Sequence, residues 1–224
     1  MYERGISMSK VAVVLSGCGV YDGAEINEAV LSLLSLEQQG ASYQCFAPDI
    51  DQMHVINHLT GEPIEGETRN VLTEAARIAR GNVLDLGAAR VDDYDALLVP
   101  GGFGAAKNLC NFAVAGAEMA ILPEFLELAR GFHAAGKPIG LICIAPVMAA
   151  AITGEGTRCT IGTDPETAAA ITAMGGEHLE CPVSEARVDA EHKMVTTPAY
   201  MLAGSVSEAY AGISECVREV LALA

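Results

Sequence analysis

Gly136–Pro146 reads GKPIGLICIAP, and the run Ile139–Cys143 within it decides the fold. Gly136, Lys137 and Pro138 end the helical segment before it. Ile139–Cys143 is then apolar at almost every position, as in a parallel strand covered on both faces. A helical run, Ala145–Ile152, follows at once and leaves no residues for a loop. A residue at such a junction is held in a sharp turn, its side chain at the top of the sheet beside the N–H groups of the next helix. Cys143 occupies this elbow. By position alone it also fits one more buried cysteine, because the thiol is a small apolar group.

The same pattern extends outward in both directions. Lys10–Ser16 (KVAVVLS) is a β-branched run of strand length, broken by Gly17-Cys18-Gly19 and Asp22-Gly23. Between Ala24 and Gln39, Ile26, Ala29, Val30, Leu33, Leu34 and Leu36 recur at helical spacing, and Gly40 stops the helix. Ser42–Ala47 is the next strand, giving a strand–helix–strand opening. Gln52–Asn57 reads as a short strand, Leu59–Gly66 as a connector and Asn70–Arg80 as a helix. Tyr94–Val99 is a strand running into Pro100–Gly104 (PGGFG), and Leu122–Ala135 is a helix. Beyond the elbow, Arg158–Ile161, Thr167–Met174, Glu185–Asp189, Met194–Thr197 and Val206–Leu223 complete the alternation. The expected architecture is one α/β domain over residues 8–224 with a mostly parallel sheet, preceded by an N-terminal extension at 1–7.

Composition narrows the function classes. The 224 residues carry 13 Lys+Arg against 29 Asp+Glu, a net charge of −16, which excludes a basic footprint for nucleic acid or an anionic membrane. A hydrophobic fraction of 51% excludes disorder, and 5% aromatic residues with no Trp argue against a base-stacking platform. The seven cysteines, at 18, 45, 110, 143, 159, 181 and 216, show no metal-ligand spacing, so no metal site is expected. The N-terminal residues lack a secretory layout, and the longest apolar run, Pro138–Thr153, is too short for a bilayer and holds two prolines. The expectation is a reducing, cytoplasmic compartment.

In open α/β sheets ligands sit beyond the carboxyl ends of strands. Three segments qualify: Gly17–Gly23, Pro100–Gly104 and Cys143–Ala145. The glycines of the second let the main chain approach a ligand, but the segment is no phosphate loop, since Lys107 comes too late. The helix after the first segment carries Glu25 and Glu28 in its first turn. Acids there suit the helix dipole, and the functional reading is that one of them points over the sheet edge toward Cys143.

With these segments in view, the chain resembles the ThiJ/PfpI superfamily of flavodoxin-like, class I glutamine-amidotransferase-like proteins, and within it the ElbB branch ("enhancing lycopene biosynthesis" or sigma cross-reacting proteins). The carrying blocks are Val13–Asn27 (VVLSGCGVYDGAEIN), Phe46–His58 (FAPDIDQMHVINH), Gly66–Gly81, Pro100–Phe112 (PGGFGAAKNLCNF), Gly136–Pro146 and Val195–Pro198 (VTTP). The resemblance implies a three-layer sandwich, a homodimer and no cofactor. It implies Cys143 as nucleophile, Glu28 as the acid that reaches it, and the N–H groups of Gly102 and Ile144 as oxyanion donors. Gly17, Cys18, Tyr21, Gly101, His54, His58 and Asp164 are candidate pocket residues. The chain departs from a Cys-His-acid triad. Ile144 follows the cysteine where other branches place a histidine, and Thr163-Asp164-Pro165 stands where another branch has Thr-His-Pro. The activity implied is conversion of glyoxal or a related small dicarbonyl to a 2-hydroxy acid without glutathione or metal. The alternatives are a deglycase- or amidase-type hydrolase, or a redox-sensing or isoprenoid-linked binding protein using Cys143.

Overall fold

The structure, a computed structural model, describes residues 8–224; the extension expected at 1–7 lies outside them. Seven strands form the central sheet: β1 (Lys10–Val14), β2 (Ser42–Ala47), β3 (Val83–Asp85), β4 (Ala96–Val99), β5 (Ile139–Ile142), β6 (Arg187–Asp189) and β7 (Met194–Thr197). Their spatial order is β6-β7-β5-β4-β1-β2-β3. Every pairing is parallel except the edge pair β6/β7.

The inner strands are apolar runs because both faces of the sheet are covered. Ala12, Val14, Leu97, Val99 and Leu141 pack into a core beneath helix Pro123–Ala134 and the helical run that follows Cys143. Val11, Val13, Leu98, Ile142 and Val195 pack on the other side against Ile26–Gln38 (α1), Val71–Ile78 (α2) and Val206–Leu223. This is the expected three-layer α/β sandwich. From β1 the chain moves outward to β2 and β3, then returns to place β4 on the other side of β1. The strand order therefore reverses between β1 and β4, which is where such sheets open a crevice.

Several local expectations change. The helix expected from Ala24 begins at Ile26, because the Glu25 carboxylate accepts the Glu28 N–H (2.6 Å) and caps it. The helix expected at Ala145 opens as a 3-10 turn, Ala145–Met148, before Ala149–Thr153 becomes α-helical; Pro146 has no N–H to give. Of Gln52–Asn57 only Ile56–Asn57 is extended, pairing with Glu62–Pro63 outside the sheet. Arg158–Ile161 shrinks to Arg158–Cys159, because the Thr160 N–H turns to the Thr196 hydroxyl (2.9 Å). Edge strand β3 went unforeseen, since its half-exposed Val-Leu-Asp carries no apolar run.

Candidate functional site

Cys143 sits at the carboxyl end of β5 with φ 63°, a left-handed conformation that a non-glycine residue holds only under strain of about 1–3 kcal/mol. Its N–H donates to the Thr197 carbonyl of β7 (2.9 Å), which fixes the turn. Glu28, in the first turn of α1, is fully buried beside it. Gly101 N–H donates to Glu28 Oε2 (3.0 Å), Tyr200 N–H donates to Oε1 (3.1 Å), and the Cys143 thiol stands near enough to the same carboxyl to act on its titration. A side chain at Gly101 would run into Cys143 Cβ and come within 2.6 Å of Glu28 Oε2, so glycine is required for thiol and carboxyl to meet. Gly102 (φ 91°) and Ile144 flank the thiol, and their N–H groups act to lower it.

Burial raises both groups. It pushes the Glu28 carboxyl up to about 8, against the pull of the Tyr200 N–H; the charge of Glu25 adds to the rise, and the Cys143 thiol and Gly101 N–H oppose it. Burial, then the charge of Glu28, raises the Cys143 thiol well above its ordinary value, while the Gly102 and Ile144 N–H groups draw it down. At neutral pH the pair therefore holds both protons. The first proton to leave is shared between sulfur and carboxyl.

A cavity of about 440 Å³ opens over the thiol. Cys143, Ile144, Gly102, Glu25, Asp164, Thr167 and Tyr200 contribute to its wall, with Val20, Phe103, Ala106, Phe112, Ala113 and Met201 as the apolar part. Glu28 and Gly101 lie behind the thiol rather than in this wall. Of the other candidate pocket residues, Asp164 alone lines the cavity. It caps helix Pro165–Ala173 by accepting the Thr167 N–H (2.8 Å), and the Thr167 hydroxyl, then this N–H, hold its carboxyl below the usual range.

The remaining candidates brace the neighbourhood instead. Gly17 (φ 110°) lets the loop after β1 fold onto Gly23. Cys18 is half-buried, its thiol raised first by burial and then by the Glu74 charge on α2. His58 Nε2 accepts the Tyr21 N–H (3.2 Å) while its Nδ1 meets the Ile56 carbonyl (3.0 Å), so it ties that loop to the small hairpin. Tyr21 stacks at 5.1 Å on His58 and 6.5 Å from Phe103, outside the cavity wall. The His54 carbonyl accepts from the Gln52 amide (3.0 Å), and its ring does not reach the wall. Among the described residues, no histidine and no cationic side chain lines the cavity. Sequence reasoning missed the Tyr200 N–H, Thr167 and the aromatic wall. Phe103 and Phe112 stood in the quoted glycine-rich block, but a backbone donor such as Tyr200 has no sequence signal.

Known proteins similar to this chain show its family. The chain is 50% identical to a human protein named glutamine amidotransferase-like class 1 domain-containing protein 3, mitochondrial, over 96% of this chain and 83% of that protein. It is 48% identical to the rat ES1 protein homolog, also named mitochondrial, over 96% and 84%. The chain belongs to the ES1 family. No family model matches it. This ES1-family chain superposes with a TM-score of 0.90 on a crystal structure from Ehrlichia chaffeensis described as an isoprenoid biosynthesis protein with an amidotransferase-like domain. That match has 39% identity and covers 96% of this chain and 99% of that one. At 20% identity, a DJ-1 superfamily protein from Salmonella typhimurium shares the fold, with a TM-score of 0.55 over 96% and 88%. The ES1-family chain thus has the fold of DJ-1 superfamily proteins. The expected cytoplasmic location does not stand, because the human and rat relatives are both named mitochondrial. Free thiols do not single out the cytoplasm among reducing compartments.

Proposed function

We propose that this ES1-family chain is a cofactor-independent glyoxalase-type enzyme, as its resemblance to the ElbB branch implies. The observation that carries the reading is the contact between Cys143 and a buried, proton-holding Glu28 under a cavity with two N–H donors and no histidine. In the form of the pair that has lost its first proton, the Glu28 carboxylate takes the thiol proton as sulfur attacks an aldehyde carbon of the dicarbonyl. The Gly102 and Ile144 N–H groups hold the developing oxyanion, and the carboxyl returns the proton to it to give a hemithioacetal. The carbon bonded to sulfur now lies beside the carboxylate. Glu28 removes its hydrogen as a proton and delivers it to the adjacent carbonyl carbon through an enediol. The first carbon is oxidised to a thioester and the second reduced to an alcohol, so no outside oxidant is needed. Water cleaves the thioester, releasing the 2-hydroxy acid and restoring the thiol.

An amidase-type reading would rest on a Cys-His-acid triad, and among the described residues no histidine lines the cavity at this thiol. The resemblance also implies that the enzyme works as a homodimer, which sedimentation of the purified chain tests. Glycolate formation from glyoxal by wild type, Cys143→Ala and Glu28→Gln tests the chemistry. Turnover is expected in the first and loss in both variants; equal rates in all three would remove the assignment.

A further inference from the structure

Glyoxal has four heavy atoms. At about 30 Å³ for each water-sized group it fills roughly 120 Å³. The cavity over Cys143 is about 440 Å³. Much of its extra wall is apolar. Phe103, Phe112, Met201 and Val20 supply side-chain wall, and the Phe103 ring is 46% exposed, a large apolar surface with no cover of its own. The ring is braced from outside the wall by Lys107, whose Nζ lies 5.4 Å from its centroid while donating to the Tyr21 carbonyl (2.8 Å). The charged side chains in the wall are both carboxyls, Glu25 and Asp164. A phosphate or carboxylate on a substrate would find no cation there and two acids facing it.

We infer that the substrate is a neutral 2-oxoaldehyde bearing an apolar substituent about the size of a phenyl ring, seated against Phe103, Phe112 and Met201. This rests on the glyoxalase reading of Cys143. The aldehyde carbon goes to sulfur, the ketone carbon receives the proton, and the substituent fills the apolar part of the cavity. The product is the matching 2-hydroxy acid, which gains the elements of water and requires no other co-reactant. The product's carboxylate forms among carboxyls, which favours its release.

The test compares kcat/KM for glyoxal, phenylglyoxal and 4-carboxyphenylglyoxal, with the 2-hydroxy acid as the measured product and Cys143→Ala as the blank. Phenylglyoxal is expected to exceed glyoxal at least tenfold, chiefly through KM, and the carboxylated analogue to lose most of that gain. Phe112→Ala is expected to cut the phenylglyoxal-to-glyoxal ratio at least fivefold. Binding of unreactive 2-hydroxyacetophenone, measured by calorimetry, separates the two ideas: it should bind wild type several-fold more tightly than Phe112→Ala whether or not turnover is seen. Glyoxal turnover with no advantage for phenylglyoxal overturns the substrate class and leaves the chemistry standing. Analogue binding with no dicarbonyl turnover overturns the chemistry and keeps the apolar subsite. Neither binding nor turnover overturns both.

Discussion

Glu28 and Asp189 are both carboxyls sealed from solvent, and they end in opposite states. Asp189, at the end of β6, accepts from the backbone N–H of Arg158 (2.8 Å), Glu191 (3.1 Å) and His192 (3.2 Å) and meets the His192 ring nitrogen (2.9 Å), with the Arg158 guanidinium at 3.5 Å. Burial alone would raise it, but these donors outweigh burial and hold it at about 2. Glu28 has two backbone donors and a thiol, no cation, and stands at about 8. Burial is common to both, so the difference lies in the donors and the formal positive charge supplied against it. One carboxyl is an ionised latch that ties the edge strand to Arg158 and His192. The other keeps its proton next to a nucleophile.

The largest effect that can break this contrast is on catalysis. Glu28→Gln should reduce glyoxal turnover by about 10²–10⁴, the usual worth of a positioned proton carrier, as read by glycolate formation. Asp189→Asn should instead act on folding. It should cost about 2–3 kcal/mol in urea unfolding at pH 7, because a carboxylate held two pH units below its ordinary value has that much to lose. Comparable loss of turnover in both variants would end the distinction between latch and proton store.

pH separates the two carboxyls by sign. The raised Glu28 stabilises the fold relative to an ionised buried carboxylate only while it keeps its proton. Its contribution is complete below 4.5 and is lost as pH rises toward about 8, by at most about 1.4 kcal/mol per pH unit. Glu28→Gln should flatten that fall in a Tm-against-pH series. The lowered Asp189 works the other way: its contribution is present above about 3.8 and disappears as pH drops through about 2. In wild type, kcat/KM should climb on passing through about pH 8 as the Cys143–Glu28 pair gives up its first proton. The smallest effect is at the neighbour. Glu25→Gln removes a like charge that raises Glu28 yet keeps an oxygen to cap α1, so the rising limb should move to lower pH by roughly half a unit. An unmoved limb would show that Glu25 does not act on the pair.

The inner strands were legible because burial on two faces leaves an unbroken apolar run, as in Val11–Val14 and Ile139–Ile142. The elbow at Cys143 was legible because strand and helix meet with no residues between them. Edge strand β3 was not, since exposure erases its pattern. His54 and His58 drew attention by residue type and lie off the cavity, while Phe103, Phe112 and Thr167 line it without having been singled out.

By itself, then, the sequence determined the α/β layering and which thiol stands at a strand's end, because local periodicity and glycine placement encode backbone path. Only the tertiary structure decided that this thiol meets a carboxyl from α1, that the carboxyl keeps its proton, and that the space above is apolar and free of cations. Those properties arise from burial and from backbone N–H groups brought together from distant segments. No residue type announces them.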